Sequence, residues 1–417
     1  MGRFRTYVRS LNPAVPRAVW LIQATTLAMV GTGIVVPFIV IYLHNVRGLS
    51  LGVAGSVAAM NGLAALVSGP IAGSVADRIG AKAVLFSALI ILAAAFALFP
   101  LIHDARQAFL VNALSGVGSG AFWPSHGALL SALTPPEQLS AAFAQRNVVA
   151  NLAIGLGGLL AGLIANTGDP SSFTVLFLLG ATIFVVFALL VTRIPPPERI
   201  EEPAGGAGDG YNAVVRDRPF ASFVLLNTIL IGSTMGVGTL FPVFAKNEAG
   251  VSEREIGMIF FLNTFVIVLL QLPIAKHQEG RRRMVALATM AALAAGSWLL
   301  VFAGGLWLEA AAAAALFALA IGVLGGLGEC LHGSVQGPLV TDLAPRRLLG
   351  RYMALATSSW EVGFMIGPLV GGFVLQAHPY ALWPAAAAVC LAAGASAMLL
   401  ERRLPVGVRR TRRATEG

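Results

Sequence analysis

Long, uninterrupted apolar runs recur along this chain, separated by short polar breaks. One of them, AVLFSALIILAAAFALFPLI from Ala83 to Ile102, carries no charge and lacks the alternating polarity of membrane-barrel strands. Runs of this kind match the ~20 residues that a helix needs to cross a bilayer. Read in order, they predict spans at 15–43, 51–76, 81–102, 106–134, 139–166, 172–194, 219–246, 254–276, 284–304, 310–343, 348–376 and 380–401. The pattern predicts an all-α membrane protein with twelve transmembrane helices.

Composition supports that count. Of 417 residues, 57% are hydrophobic and 11% charged, with a mean hydropathy of +0.81, whereas a soluble domain has about 25% charged residues. Twelve spans require about 240 apolar-dominated residues, close to the supply. The first apolar run is too long for a removable signal peptide and no cleavage site follows it. One long interior stretch is not apolar: PPPERIEEPAGGAGDGYNAVVRDRP, from Pro195 to Pro219. Its Pro, Gly and charge content predicts a flexible linker. The expected organisation is an N-terminal six-helix bundle (1–194), a cytoplasmic linker (195–218) and a C-terminal six-helix bundle with a basic cytoplasmic tail (219–417).

The net charge of +9 raises the question of nucleic-acid binding, which the placement of the cations answers. With both termini cytoplasmic, all but Arg47, Arg106, Lys246 and Arg254 of the 28 Lys and Arg residues fall on the cytoplasmic side. That bias fixes membrane orientation and needs no nucleic-acid partner. A multi-pass protein of the cell (inner or plasma) membrane is expected. Cys330 and Cys390 lie inside apolar runs without metal-ligand spacing and read as small core residues.

The chain also repeats itself. A shift of 210 residues aligns Gly116, Gly118, Pro135, Gly157 and Gly162 with Gly326, Gly328, Pro345, Gly367 and Gly372. Shifts of 205 and 202 superpose Gly31, Gly33 and Pro37 on Gly236, Gly238 and Pro242, and Gly55 and Asn61 on Gly257 and Asn263. Two pseudo-symmetric six-helix bundles with a substrate path between them are a secondary-transporter architecture.

Between the second and third spans stands GSVADRIGAK, in which Gly73, Asp77, Arg78, Gly80 and Lys82 combine turn-permitting glycines, a carboxylate suited to a helix N-terminus or an arginine, and two cations. The eleventh span holds GFMIGPLVGG, whose Gly363, Gly367, Pro368, Gly371 and Gly372 permit close helix packing and a bend. These two motifs, with PFIVIYL in the first span and GRYMALATSSWEVGFMIGPLVGG in the eleventh, resemble the major facilitator superfamily, in its twelve-helix drug:proton antiporter branch. The resemblance covers nearly the whole chain. It implies that the GSVADRIGAK loop acts as a gating latch and that the glycine-proline motif is associated with antiport. In that family the glycine-proline copy belongs to the fifth span, where this chain has AIGLGGLLAG with Gly158 in place of proline. Where the family has an arginine in the fourth span, this chain has Asn112, so no proton-relay role transfers to that position; Arg146, near the start of the fifth span, is the alternative cation, or a snorkelling anchor.

Glu329 in GLGECLHG and Glu361 in SSWEVGF sit near the middles of the tenth and eleventh spans, where a charge costs at least about 2.5–3.5 kcal/mol unless it faces protein or water. Burial favours the neutral acid, which can be protonated near neutral pH and release its proton when the cavity opens to the other side. These are the candidate proton-coupling residues; in the resembling antiporters the glutamate of a tenth-span Gly-Glu pair is thought to bind the proton or a cationic substrate. The bland alternative is a neutral acid hydrogen-bonded between helices. His332 and Gln336 extend Glu329 into a polar stripe, and Asn112, Ser115, Ser119 and His126 form another on the fourth span. Asn61, Asn112, His126, Arg146, Asn151, Asn227, Asn263, His332 and Gln336 are the candidate substrate-cavity residues, each asparagine having interhelical bonding as its alternative.

The six histidines include no pair at metal-ligand spacing and no phosphate-binding loop occurs. No metal, no cofactor beyond the proton as coupling ion, and no enzymatic activity are expected. The sequence thus points to a carrier, expected to act as a monomer, that exports amphipathic or lipophilic small molecules, cationic ones among them, in exchange for protons by alternating access. A carrier of the same fold for sugars, lipids or metabolites, by symport or uniport, stays open, as does a non-transporting membrane sensor.

Overall fold

The computed structural model describes residues 17–135, 138–195, 211–345 and 348–411. Twelve long helices run through them: α1 (Arg17–Val46), α2 (Leu51–Ile79), α3 (Ala81–Leu101), α4 (Ala105–Leu133), α5 (Leu139–Ile164), α6 (Pro170–Thr192), α7 (Arg218–Asn247), α8 (Glu253–Gln278), α9 (Arg283–Trp307), α10 (Ala310–Leu343), α11 (Leu349–Ala377) and α12 (Leu382–Glu401). Each lies within a turn of its expected span. Eleven are apolar enough throughout to cross a membrane; α4 is equally long but is diluted by Asn112, Ser115, Ser119 and His126. Most of the expected linker (196–210) lies outside the described residues, as do Arg3, Arg5, Arg9, Arg199, Arg346, Arg347, Arg412 and Arg413. A short helix, Tyr211–Arg216, precedes α7.

Local sequence explains the helix starts. Side chains of Ser50, Asp104, Asp169, Asp217 and Ser252 cap α2, α4, α6, α7 and α8 by accepting backbone N–H groups of the first turn. Ser252 and Glu255 complete a reciprocal capping box. Gly48 and Gly250, two residues before their caps, take left-handed φ values of 70° and 66°, a conformation glycine adopts without steric cost. Both the glycines and the serines are 202 residues apart, the same shift that relates α2 to α8.

Within the N-terminal bundle α2 and α3 pack on α4, α3 on α6, and α1 between α5 and α6; in the C-terminal bundle α8 and α9 pack on α10, α9 on α12, and α7 on α11 and α12. The bundles meet along two seams, α2 with α11 and α5 with α8. Glycines permit both. A Cβ built on Gly162 would fall 2.7 Å from the Gly257 Cα, and one on Gly55 would fall 3.0 Å from the Gly372 Cα. These two pairs are each other's repeat mates, since Gly162 aligns with Gly372 and Gly55 with Gly257.

The repeat differs in its details in α1 and α7. Gly33 packs on Ile154 and Gly157 of α5, whereas its counterpart against Gly367 of α11 is Gly236 rather than Gly238. Segments of α7 (Gly232–Gly236) and α1 (Tyr42–Val46) are wound as π-helix, and such an extra residue per turn displaces register.

Candidate functional site

Hydrogen bonds that cross between the bundles gather at one end of the molecule. Asn45 donates to Asn247 (2.7 Å) at the ends of α1 and α7, the Gly52 N–H to Gln376 Oε1 (2.8 Å) between α2 and α11, and the Thr167 N–H to Glu253 Oε1 (3.0 Å) between the α5–α6 turn and α8. Glu253 is also bridged to Lys246 (2.9 Å). This end carries Arg47, Arg106, Lys246 and Arg254, and it is shut. Sequence reasoning missed Gln376 and Glu253, because an acid in the first turn of a helix looks like an ordinary cap.

The last close glycine contacts along the seams lie near the middle of the helices. On the α2–α11 seam Gly62 meets the backbone of Glu361 and Met365; on the α5–α8 seam Gly155 meets Thr264, the residue after Asn263. The Asn263 Nδ2 donates to Glu329 Oε1 at 3.3 Å and to the Ile321 carbonyl at 3.1 Å. At this level Glu361 lies on the α2–α11 seam and Glu329 is tied through Asn263 to the α5–α8 seam, one on each flank. Both are half-buried. Neither has an ion pair among the described residues, and no hydrogen bond reaches the Glu361 carboxyl there.

The backbone leading to Glu329 is special. Ala318–Gly325 of α10 is wound as π-helix, a feature frequent at functional sites. Ser297 donates to the Ala320 carbonyl (2.8 Å) and Asn263 to that of Ile321. Asn263 thus holds the irregular helix and the acid together.

Several expected cavity residues turn out to be internal struts. His126 is fully buried, its Nε2 3.1 Å from both Thr26 Oγ1 and the Ile22 carbonyl, tying α4 to α1. His332, 1% exposed, meets Asn227 Oδ1 at 2.6 Å, and Asn227 donates to Ser359 (2.6 Å), tying α10 to α7 and α11. Asn112 donates to the Val57 carbonyl and Asn61 to Ser115 (3.2 Å), joining α4 to α2. Asn151 donates back to the Asn147 carbonyl of its own helix. The stripes on α4 and α10 suggest cavity walls, but His126, Asn112 and His332, and with them the α7 residue Asn227, are packed inside the bundles, where a polar side chain needs an internal partner.

Gln336 and Arg146 keep an open side. Gln336 is half-buried and accepts from Trp360 Nε1 (3.0 Å). Arg146 lies between aromatic rings, its Cζ 5.4 Å from the Trp123 centroid and 4.7 Å from that of Phe143, and it pairs with no acid among the described residues. Arg146 is nine residues before Gly155, about 13 Å along α5 from the level of the Gly155–Thr264 contact.

The GSVADRIGAK loop is only partly engaged. Gly80 ends α2 with a φ of 92°, and Lys82 donates to the Thr192 (3.0 Å) and Ile194 carbonyls at the end of α6. Asp77 and Arg78 are exposed, and a Cβ on Gly73 would meet nothing within 4 Å. The corresponding loop of the second repeat, Lys276–Met284, is held through two arginines. Arg282 makes a bidentate pair with Glu401 (2.8 and 2.6 Å), and the buried Arg283 bonds Asp342 at 2.5 Å.

Among known proteins, a sequence profile of the Major Facilitator Superfamily matches residues 21–251 and 224–417. A multidrug resistance protein MdtH of Aeromonas salmonicida (strain A449) is 26% identical over 363 residues, covering 87% of this chain and 88% of the relative. An uncharacterized transporter of the same superfamily, YhjO of Bacillus subtilis (strain 168), is 24% identical over 371 residues, with 89% and 88% covered. Solved structures share the fold at low identity. A POT family transporter in complex with 5-aminolevulinic acid superposes with a TM-score of 0.76 at 12% identity over 93% of this chain and 96% of that one, and the nucleoside transporter NupG with 0.72 at 15% over 92% and 99%. The chain belongs to the major facilitator superfamily, and it is a multi-pass membrane transporter of small molecules rather than an enzyme.

Proposed function

We propose that this transporter exports amphipathic or lipophilic small molecules in exchange for protons, with Glu329 and Glu361 as the groups that carry the proton. What supports this reading is that Glu361 lies on one seam, and Glu329 is tied to the other, at the level of the last close glycine contacts between the bundles. Rocking of the bundles about those contacts would expose each carboxyl alternately to the two aqueous compartments. Among the described residues neither acid pairs with a cation, which suits both to taking a proton or a cationic substrate group.

In this reading the termini, the linker near 195–218 and the GSVADRIGAK loop are cytoplasmic, in accord with the cation bias, and the cleft of this structure opens to the cytoplasm of an inner or plasma membrane. The Asp77 carboxylate is the half of the latch released in this state. The protein works as a monomer of two six-helix units. The relatives named for multidrug resistance are consistent with substrates chosen by shape and apolarity rather than by a dense hydrogen-bonding site.

Proteoliposomes with imposed pH gradients test the coupling. A lipophilic-cation probe should move against its gradient when protons flow the opposite way, and Glu329→Gln should abolish that exchange. Movement of probe and proton in the same direction would establish a symporter, and full exchange by Glu329→Gln would remove the acid from the mechanism.

A further inference from the structure

We propose that the groove at the C-terminal end of α12 binds the headgroup phosphate of an anionic phospholipid from the adjacent leaflet. The tail after α12 is docked rather than trailing. The Arg283 N–H donates to the Arg409 carbonyl (2.9 Å), Gly280 N–H to that of Thr411 (3.1 Å), and Thr411 N–H to that of Arg281 (3.0 Å). This short antiparallel pairing, with Arg282 opposite Arg410, closes a groove of about 470 Å³ beside the helix end.

The charge in the groove is unbalanced. Glu401 is consumed by the bidentate Arg282 pair. Arg409 is held by the neutral Leu404 and Arg402 carbonyls (2.9 and 3.1 Å) and Arg410 by that of Gly280 (3.2 Å), while the exposed Arg402 side chain makes no hydrogen bond among the described residues. Four arginines, Arg282, Arg402, Arg409 and Arg410, thus share one carboxylate in this groove, an excess of positive charge that suits a phosphate.

The surroundings select a lipid over a soluble anion. Ala392, Ala395 and Leu399 form the outward face of α12, and Arg402 is the next position on that face. Leu399 and Val406, 63% and 80% exposed, border the groove. A phosphate among the arginines would place its acyl chains along the alanine and leucine face.

Native mass spectrometry of the full-length protein in detergent tests this, with dioleoyl phosphatidylglycerol, dioleoyl phosphatidylcholine and inorganic phosphate as the probes. Phosphatidylglycerol should be retained over phosphatidylcholine, and Arg402→Gln should weaken that retention about fivefold, the contribution of one basic residue near a lipid surface. Arg402→Lys should restore it, and Arg403→Gln, outside the groove, should leave it unchanged. Equal retention of the two lipids, insensitivity to Arg402→Gln, or displacement of the lipid by millimolar inorganic phosphate would each overturn the proposal. Since the Arg402 side chain makes no hydrogen bond among the described residues, unaltered thermal melting of Arg402→Gln separates lost binding from lost structure.

Discussion

Gly162 of α5 and Gly257 of α8 lie so close that a Cβ on either would come within 2.7 Å of the other's Cα. Their repeat mates, Gly372 of α11 and Gly55 of α2, meet in the same way on the opposite seam. Both contacts seal the end bearing Lys246 and Glu253, so that end closes only if all four positions lack side chains.

Gly162→Val or Gly372→Val should therefore hold that end ajar. The expected result is a fall in transport of about tenfold or more, because a clash of this kind costs about 1–3 kcal/mol. It should be accompanied by faster labelling of a cysteine placed at Asn45 by a membrane-impermeant maleimide. Unchanged labelling would show that the seam is not what shuts this end.

Asn263 positions Glu329 and also donates to the Ile321 carbonyl in the π-wound part of α10. Asn263→Ala should impair transport and lower stability by about 1–3 kcal/mol, the cost of leaving a buried polar group unsatisfied. Asn263→Asp should be worse for transport, since it sets a second carboxyl beside the first. Flux assays and detergent melting curves of the two variants discriminate positioning from plain packing.

Asp77 makes no hydrogen bond or ion pair among the described residues, whereas Lys82 is engaged. Asp77→Asn should leave the stability of this conformation within about 0.5 kcal/mol, as for other surface substitutions, yet slow turnover if the carboxylate latches the alternate state. Lys82→Ala should affect both. Stability and turnover that fall together in Asp77→Asn would place the carboxylate in a structural role in this state instead.

The Arg283–Asp342 pair is buried, with side chains 1% and 8% exposed. Removing one partner strands a charge, so Arg283→Met alone should destabilise by about 3–5 kcal/mol, and the double variant Arg283→Met/Asp342→Leu should recover much of the loss. A double-variant melting cycle measures the difference directly.

Much of the fold was legible along the chain because it depends on local chemistry. Apolar run length set the twelve helices, and the spacing of glycines revealed the repeat. Glu329 and Glu361 stood out because a carboxyl inside an apolar run is costly wherever it falls. The polar stripes were less readable: His126 and Gln336 occupy equivalent repeat positions, but one is sealed against Thr26 and the other is half-buried and bonded by Trp360. Helical periodicity says which residues share a face and nothing about what that face meets.

The sequence by itself determined the number and extent of the membrane helices, the two-fold repetition and the rarity of intramembrane charge, all properties of neighbouring residues in a low-dielectric solvent. Only the tertiary structure decided that Gly162 meets Gly257, that Asn263 holds Glu329, that Asp77 is unlatched while Arg283 is locked to Asp342, and that the tail closes a basic groove. Those contacts join residues far apart in the chain, and the ones between bundles exist in one arrangement of two rigid bodies. No local pattern can encode which arrangement is occupied.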